Sequence, residues 1–564
     1  MSDYLHVVAY DVGTTGAKAC LYRLDPGGGG GSAGSGGRGG GRAGNGGRGS
    51  IELVASAVAE YPLRLLPNGG AEQDPEDWWN ALRRATHLIL ERAGVGKDAV
   101  RALSFCCQMQ GLVLVDENGA PVRPAMTYMD QRATEQKRRG IERGLRIEGM
   151  NAGKLIPSLL ITGGVSASVK DPVWKYHWVR DNEPQAFSRV HKWLDGKEYL
   201  VQRCTGRFAM TPDSANATFL YDTRPGRGEW SASLCRLFDV DPSHLPEVIP
   251  AQETAGPLRR GAAEELGLPA GIPVIAGGGD LTLVGLGSGA VGLHQTHVYM
   301  GTSGWVSTVT DRRVVDTECY IASILGAVPG LYNYISEQET SGKCLEWVRD
   351  HLALDEIGVY LEQRTVAEDP AGRYESLFDF LNESIEQVPP GAGGVLFAPW
   401  LRGNRSPFED PNARGIFFNV GLETGKRCMI RAVVEGIALH GRWQLEAIRR
   451  KVPARGPIRF VGGGARSAAA ARTLASVLGE TVETIRGPQN VGAQGAAVLC
   501  AAGLGAIGSP RDAAGLVRVE GTWEPDPAAR EVYNRHFDVL KRLYTGNRES
   551  FRALNEGPAR AHAG

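Results

Sequence analysis

At 564 residues the chain is too long for one hydrophobic core, since domains usually run to about 100–200 residues. An apolar share of 42% with 22% charged residues is that of an ordinary globular protein, and a net charge of -1 carries no electrostatic footprint for nucleic acid or an anionic membrane. Nine cysteines without a C-x-x-C pair or zinc spacing read as reduced thiols, no apolar run reaches the ~20 residues of a membrane span, and the start lacks a signal-peptide pattern. A cytoplasmic protein is expected.

Leu5 to Tyr10 reads as a short apolar strand ending in Asp11. Gly13-Thr14-Thr15-Gly16 turns the chain, and Ala17 to Leu24 returns as a second strand. Such a turn exposes successive backbone N–H groups and two hydroxyls, a concave donor site for phosphate oxygens, with Lys18 as a nearby cation. The spacing is not that of a Walker loop. Taken alone, the same residues make a plain hairpin.

Residues 27–49 interrupt the pattern with 15 glycines in 23 positions, a segment expected to be a disordered insertion in a hairpin tip because it cannot offset its ordering entropy. The strand pattern resumes over Ile51 to Glu60. Glu72 to Gly94 predicts a helix, with Asp74 at the N-cap, Pro75 in the first turn, and Trp78, Leu82, Ala85 and Ile89 at core spacing. Val100 to Phe105 is a strand running into Gln108-Met109-Gln110-Gly111, whose polar pair suits a hydroxylated ligand or a turn. Trp174-Lys175-Tyr176-His177-Trp178 reads as an amphipathic helix with its cation at the surface. Leu258 to Pro273 is the expected domain junction.

The apolar run Val274-Ile275-Ala276 leads into Gly277-Gly278-Gly279-Asp280: a buried strand, a close turn and one carboxylate. By itself this is equally a turn with a capping Asp. A second strand–turn–strand device then follows, with His297 to Met300, Gly301-Thr302-Ser303-Gly304, and Trp305 to Thr310. Two such devices in one chain predict two related domains. Further on, Arg427 to Arg450 is a long helix, and Ile458 to Val461 is a strand entering Gly462-Gly463-Gly464-Ala465, with a helix over Ser467 to Leu478. Glycines at a strand-to-helix junction let a nucleotide lie against backbone near a helix N-terminus. Gly492 to Ala497 opens a small-residue helix, and Ala528 to Leu554 closes the chain as another.

Six of these pieces occur in one order. They are Asp11-Val-Gly-Thr-Thr-Gly-Ala-Lys18, Gln108-Met-Gln-Gly111, Gly277-Gly-Gly-Asp280, Gly301-Thr-Ser-Gly304, Leu401-Arg-Gly-Asn-Arg-Ser-Pro407 and Gly462-Gly-Gly-Ala-Arg466. In this the chain resembles the FGGY family of carbohydrate kinases, within the actin/hexokinase-like superfamily, over nearly its whole length. The resemblance implies an α/β protein of two ribonuclease-H-like domains facing across a catalytic cleft. The expected division is a sugar-binding domain over 1–258, a nucleotide-binding domain over 259–520, and a C-terminal helix and tail over 521–564.

It also implies ATP and Mg²⁺ as cofactors and transfer of the γ-phosphoryl to a sugar hydroxyl. Asp280 is then the general base, and Asp11 lies near the metal and the phosphates. Gly13, Thr14, Thr15 and Lys18, with Gly301, Thr302 and Ser303, hold phosphate; Gly463, Gly464 and Ala465 border the adenosine; Met109, Gln110 and Asp280 meet the sugar. The expected partners are a small-molecule sugar and a second copy in a homodimer, with no nucleic acid and no membrane. The resemblance is strongest to members that phosphorylate xylulose, which is therefore the first expected substrate; such members usually carry His in place of Gln110 and Asn in place of Leu281, and these two departures make ribulose or a glycerol-like polyol the alternatives. A non-catalytic, nucleotide-gated sensor on the same fold is the reading from a different class.

Overall fold

The computed structural model describes residues 4–25, 49–351 and 382–556. Nearly all of the glycine-rich insertion expected over 27–49, and most of the extreme C-terminal tail, lie outside the described residues. The chain divides into two compact units: Met1–Val291 with Ile324–Tyr332 and Asn490–Arg518, and Gly292–Ser323 with Asn333–Gln489 and Val519–Gly564.

The first unit is built on five strands: β1 (Leu5–Val12), β2 (Gly16–Asp25), β3 (Ser50–Glu60), β4 (Val100–Cys107) and β5 (Pro273–Ile275). Their spatial order is β5-β4-β1-β2-β3, with Thr254–Pro257 added outside β5. The strands β1, β2 and β3 form an antiparallel meander, while β4 and β5 run parallel to β1. Such a sheet needs cover on both faces. Part of that cover is the helix Pro75–Ala93, where Asp74 accepts from the Glu76 N–H at 2.9 Å, Gly94 ends the helix in the left-handed conformation, and Trp78, Leu82, Ala85 and Ile89 are all buried. Another part is the helix Val491–Gly503, whose small, almost wholly buried residues let it lie close on β1 and β4.

The second unit repeats the plan with β6 (Gln295–Met300), β7 (Gly304–Thr310), β8 (Tyr332–Gln338), β9 (Arg455–Val461) and β10 (Val482–Ile485). Their order is β8-β7-β6-β9-β10, the same arrangement strand for strand. Here too the first pair is antiparallel, and the fourth and fifth strands run parallel to the first. The helix Lys426–Arg449 covers this sheet with Val433, Ile437 and Leu445 buried. The duplication expected from two glycine hairpins is thus a duplication of the whole strand order.

Three expectations are corrected. The junction placed at Leu258 to Pro273 lies inside the first unit, because Thr254–Pro257 pairs antiparallel with β5 and β5 pairs with β4. The unit instead ends at Val291 and recruits Asn490–Arg518 from far down the chain. The segment 521–564 is no separate piece either: the strand Val519–Trp523 pairs with β10, and Tyr533, Phe537 and Leu540 of the helix Arg530–Asn555 enter the second unit's core. The Trp174–Trp178 stretch is helical as expected, within Pro172–Asn182, yet Lys175 is buried rather than exposed.

Candidate active site

Register places the first unit's acidic groups. Asp11 and Gly278 both pair with Cys106 of β4, one from each side, so they stand roughly 10 Å apart, two interstrand spacings. Gly277 makes the turn at φ 78°, and Asp280 opens the helix Asp280–Ser288. A carboxylate in a helix's first turn is favoured by the positive end of the dipole, and its Oδ1 accepts from the Leu281 N–H at 2.9 Å. Asp280 remains partly exposed at the end of the sheet. The Cys106 thiol feels both acids: burial first, then the charges of Asp11 and Asp280, push it well above its ordinary value.

Met109 and Asp280 are brought together by the absence of a side chain between them. A Cβ at Gly279 would come within 2.0 Å of the Met109 Sδ, so the thioether lies on the residue preceding Asp280. Gln110 follows in the left-handed region at φ 62°, which few non-glycine residues adopt without outside support. That support is visible. The Lys175 Nζ donates to the carbonyl oxygens of Gln110 (2.7 Å) and Thr127 (2.8 Å), and the Gly111 N–H donates to Asp195 Oδ1 at 3.0 Å. Burial holds the Lys175 ammonium down to about 8 and the Asp195 carboxyl up to about 7.

The hairpin Gly13–Gly16 is tied back by its carbonyls. The Gly13 carbonyl accepts from the Tyr61 hydroxyl, that of Thr14 from Gln73 Nε2 (2.7 Å), that of Thr15 from the Tyr61 N–H (3.2 Å), and that of Gly16 from the Gly13 N–H (3.0 Å). Thr14 Oγ1 and the Tyr128 hydroxyl are 3.2 Å apart, and Thr15 is exposed. Asp11 faces Lys18 across the β1–β2 ladder. Burial raises the Asp11 carboxyl, Lys18 and Cys106 partly offset this, and Gly492 lets the helix Val491–Gly503 approach it: a Cβ there would sit 2.9 Å from Asp11 Oδ2.

In the second unit the Gly301–Gly304 hairpin has the same carbonyl arrangement by another route. The N–H groups of Ser341 and Lys343 donate to the Thr302 carbonyl at 3.2 Å each, and the Gly342 N–H donates to that of Gly301 at 2.7 Å. Thr302 and Ser303 are exposed. Met300, which leads into this hairpin, also meets the third glycine cluster: Cβ atoms at Gly462 and Gly464 would fall 2.6 Å from its carbonyl oxygen and 2.2 Å from its Sδ. Gly462 and Gly464 therefore border the hairpin's base, a Cβ at Gly463 would meet nothing within 4 Å, and Ser467 caps the helix Ala468–Leu478 by accepting from the Ala470 N–H at 3.0 Å.

Sequence reading missed several supporting residues. Asp195, Lys197 and Asp213 are buried polar side chains whose partners are distant in sequence, so no local spacing marks them. Helical periodicity alone assigns Lys175 to solvent, whereas the fold buries it.

Residues 49–287 match the N-terminal domain of the FGGY family of carbohydrate kinases, and residues 297–504 match its C-terminal domain. The chain belongs to this family. As an FGGY carbohydrate kinase it is an enzyme that phosphorylates a sugar, with ATP as the phosphoryl donor that kinase chemistry implies. It is 27% identical over 486 residues to a xylulose kinase of Staphylococcus epidermidis, covering 84% of this chain and 88% of the relative. It is 25% identical over 441 residues to a gluconokinase of Bacillus subtilis, covering 78% and 75%. The ligand-bound xylulose kinase structure from Lactobacillus acidophilus superposes with a TM-score of 0.77 at 22% identity, over 97% of this kinase and 99% of that chain. The fold is accordingly the two-domain, actin/hexokinase-like α/β fold of FGGY kinases. No helix among the described residues of this kinase is long and apolar enough to cross a membrane.

Proposed function

We propose that this FGGY kinase converts D-xylulose to D-xylulose 5-phosphate, with Asp280 as general base. The observation that carries the reading is the partly exposed Asp280 carboxylate, fixed in the first turn of a helix beside Met109 and one strand removed from Asp11. The sugar hydroxyl gives its proton to Asp280 while its oxygen attacks the γ-phosphorus; the bond to the β,γ-bridging oxygen breaks and ADP leaves. Phosphoryl transfer asks for positioning and charge neutralisation more than for covalent help. Each hairpin suits the positioning part by itself, because its loop carbonyls are tied back by donors of its own unit and its hydroxyls, Thr15 in the first and Thr302 and Ser303 in the second, are exposed. Gly463, Gly464 and Ala465 would border the adenosine, and Met109 with Gln110 the sugar.

Mg²⁺ fits Asp11. Its carboxyl is raised by burial, so a cation beside it would favour the charged form, and Mg²⁺ commonly takes one or two carboxylates with phosphates and waters as its other ligands. When bound there, the ion neutralises phosphate charge. Lys18, across the ladder, would add a fixed positive charge to the same region.

The choice of xylulose rests on xylulose kinases among the relatives, at 25–27% identity. Gluconokinase among them keeps the sugar acid in view, and Gln110 and Leu281 stand where xylulose-phosphorylating members usually carry His and Asn. We place the enzyme in the cytoplasm on its nine unpaired cysteines. The test is sugar-dependent ADP release over a panel of D-xylulose, D-ribulose, glycerol and gluconate. The highest kcat/KM is expected for D-xylulose; a clear preference for another member would overturn the substrate and leave the kinase assignment standing.

A further inference from the structure

The carboxylate of Asp213 is buried, lies in the first unit, and has no part in the chemistry above. Its Oδ2 accepts from the Gly279 N–H at 2.7 Å and from Thr282 Oγ1 at 2.9 Å. These donors belong to the residue just before Asp280 and to the second residue after it. One oxygen atom therefore ties both sides of the proposed base. Its other oxygen, Oδ1, accepts from the Thr211 hydroxyl, which in turn accepts from the Lys197 Nζ at 2.8 Å. Lys197 is itself buried, paired with Glu198, and reaches towards the Ala276 carbonyl at 3.4 Å, on the strand side of the same glycine turn. The chain Glu198–Lys197–Thr211–Asp213 thus braces the Gly277–Asp280 turn from within the protein.

We propose that Asp213 is a positioning residue for Asp280: it fixes the start of the helix Asp280–Ser288 so that the Asp280 carboxylate keeps one orientation towards the substrate hydroxyl. This rests on the reading of Asp280 as the base. Two features of the arrangement separate it from an ordinary helix cap. The acceptor comes from a residue 66 positions away in sequence, as the bond to Gly279 shows, and not from the helix's own N-cap, which is Gly279 and has no side chain. The turn it braces is also made of three successive glycines, which have no side chains to pack and are held only through their backbone, by pairing with β4 and by the Gly277 N–H donating to the Ala251 carbonyl at 3.0 Å. An amide in place of the carboxylate could still accept from Gly279 and Thr282, but its NH₂ would face the Thr211 hydroxyl, which already donates in that direction. The brace would loosen without leaving a hole.

The experiment compares Asp213→Asn, Thr282→Val and Asp280→Asn with the parent enzyme, using ATP and the best sugar of the panel, and measures kcat, both KM values and the folded fraction. Misplacing a reacting group by about 1 Å can cost on the order of 10²-fold in rate. The expected results are a kcat loss of about 10- to 100-fold for Asp213→Asn and a smaller one for Thr282→Val, with the KM for ATP unchanged. The Asp213→Asn/Thr282→Val double variant should lose less than the product of the two single losses, because both changes loosen the same brace, one at each oxygen of Asp213. A purely structural role would lower the folded fraction and leave the kcat of the folded molecules intact, and that result would overturn the proposal. If Asp213→Asn fails to fold, Thr282→Val decides, since it keeps the volume and removes one donor; an unchanged kcat there counts against the brace. Loss of activity in Asp280→Asn with parental kcat in Asp213→Asn removes this proposal alone. Near-parental turnover in Asp280→Asn removes the base assignment beneath it.

Discussion

The two glycine hairpins occupy the same place in two sheets of identical strand order, yet they are not copies. In β1–β2 the last paired residues are Val12 and Ala17, leaving Gly13 to Gly16 as the loop; in β6–β7 they are Met300 and Gly304, leaving Gly301 to Ser303. The residue two before the first glycine differs more. In the first hairpin it is Asp11, set opposite Lys18; in the second it is Tyr299, stacked on Trp305 with ring centroids 4.0 Å apart. What they share is the tying back of loop carbonyls, done by Tyr61 and Gln73 in one and by the N–H groups of residues 341–343 in the other. The proposed anion binding asks each loop to turn its carbonyl oxygens away, and two different sets of donors do this. Charge is what the duplication did not preserve. The first hairpin carries a carboxylate and a cation; the second is stiffened by aromatic stacking and offers hydroxyls.

This difference is open to direct attack. Asp11→Asn should lower kcat by about 10²-fold or more, because the carboxylate proposed to hold Mg²⁺ loses its charge, and it should raise the Mg²⁺ concentration needed for activity. The matching change in the second hairpin, Tyr299→Phe, keeps the stack and should leave kcat close to the parent's. Equal losses in the two variants, measured with Mg²⁺ titrated, would erase the distinction.

A gentler comparison uses the glycines behind each hairpin. Gly492→Ala would press a methyl group on Asp11 and Cys106, two short side chains on neighbouring strands, at about 1–3 kcal/mol of stability. Gly464→Ala would meet the Met300 side chain, and a flexible thioether gives way, so the cost should stay under about 1 kcal/mol. Denaturant unfolding of the two variants supplies the numbers.

The smallest expected effect is in acid. Burial holds His177 of the first unit down to about 4, and His297 and His440 of the second down to about 3 and about 4, against an ordinary 6.5. For each, the unfolded chain takes up a proton first, so its contribution to stability is complete above 6.5 and is lost as pH falls towards the folded value. Carboxylates raised by burial work the other way, since the folded state keeps their protons: Asp11 and Asp195 in the first unit, Glu435 in the second. One strongly lowered histidine therefore meets two raised acids in the first unit, and two meet one in the second. Hydrogen exchange followed peptide by peptide from pH 7 to pH 5, corrected for intrinsic rates, should show the second unit losing protection sooner. Equal loss would contradict this.

Much of this was legible in the sequence, for identifiable reasons. The β1–β2 and β6–β7 hairpins, the Asp74-capped helix and the Gly277–Asp280 turn are local events, set by residues a few positions apart. The junction expected near Leu258 was misplaced because a glycine- and proline-rich stretch also serves to turn the chain between Thr254–Pro257 and β5 inside one sheet. Lys175 shows the limit most plainly. Helical spacing puts it on a polar face, but two carbonyls that exist only once the Gln110 turn has folded draw it into the interior. Asp213 is the same case, with partners at Gly279 and Thr282 that no window of sequence contains.

The central claim is that the Asp280 carboxylate takes the proton from the sugar. General-base help is worth about 10²–10⁴ in rate, so in Asp280→Asn the kcat for ATP-dependent sugar phosphorylation should fall by that factor while the Kd for ATP stays as in the parent. A variant that turns over D-xylulose at near-parental kcat would contradict the account.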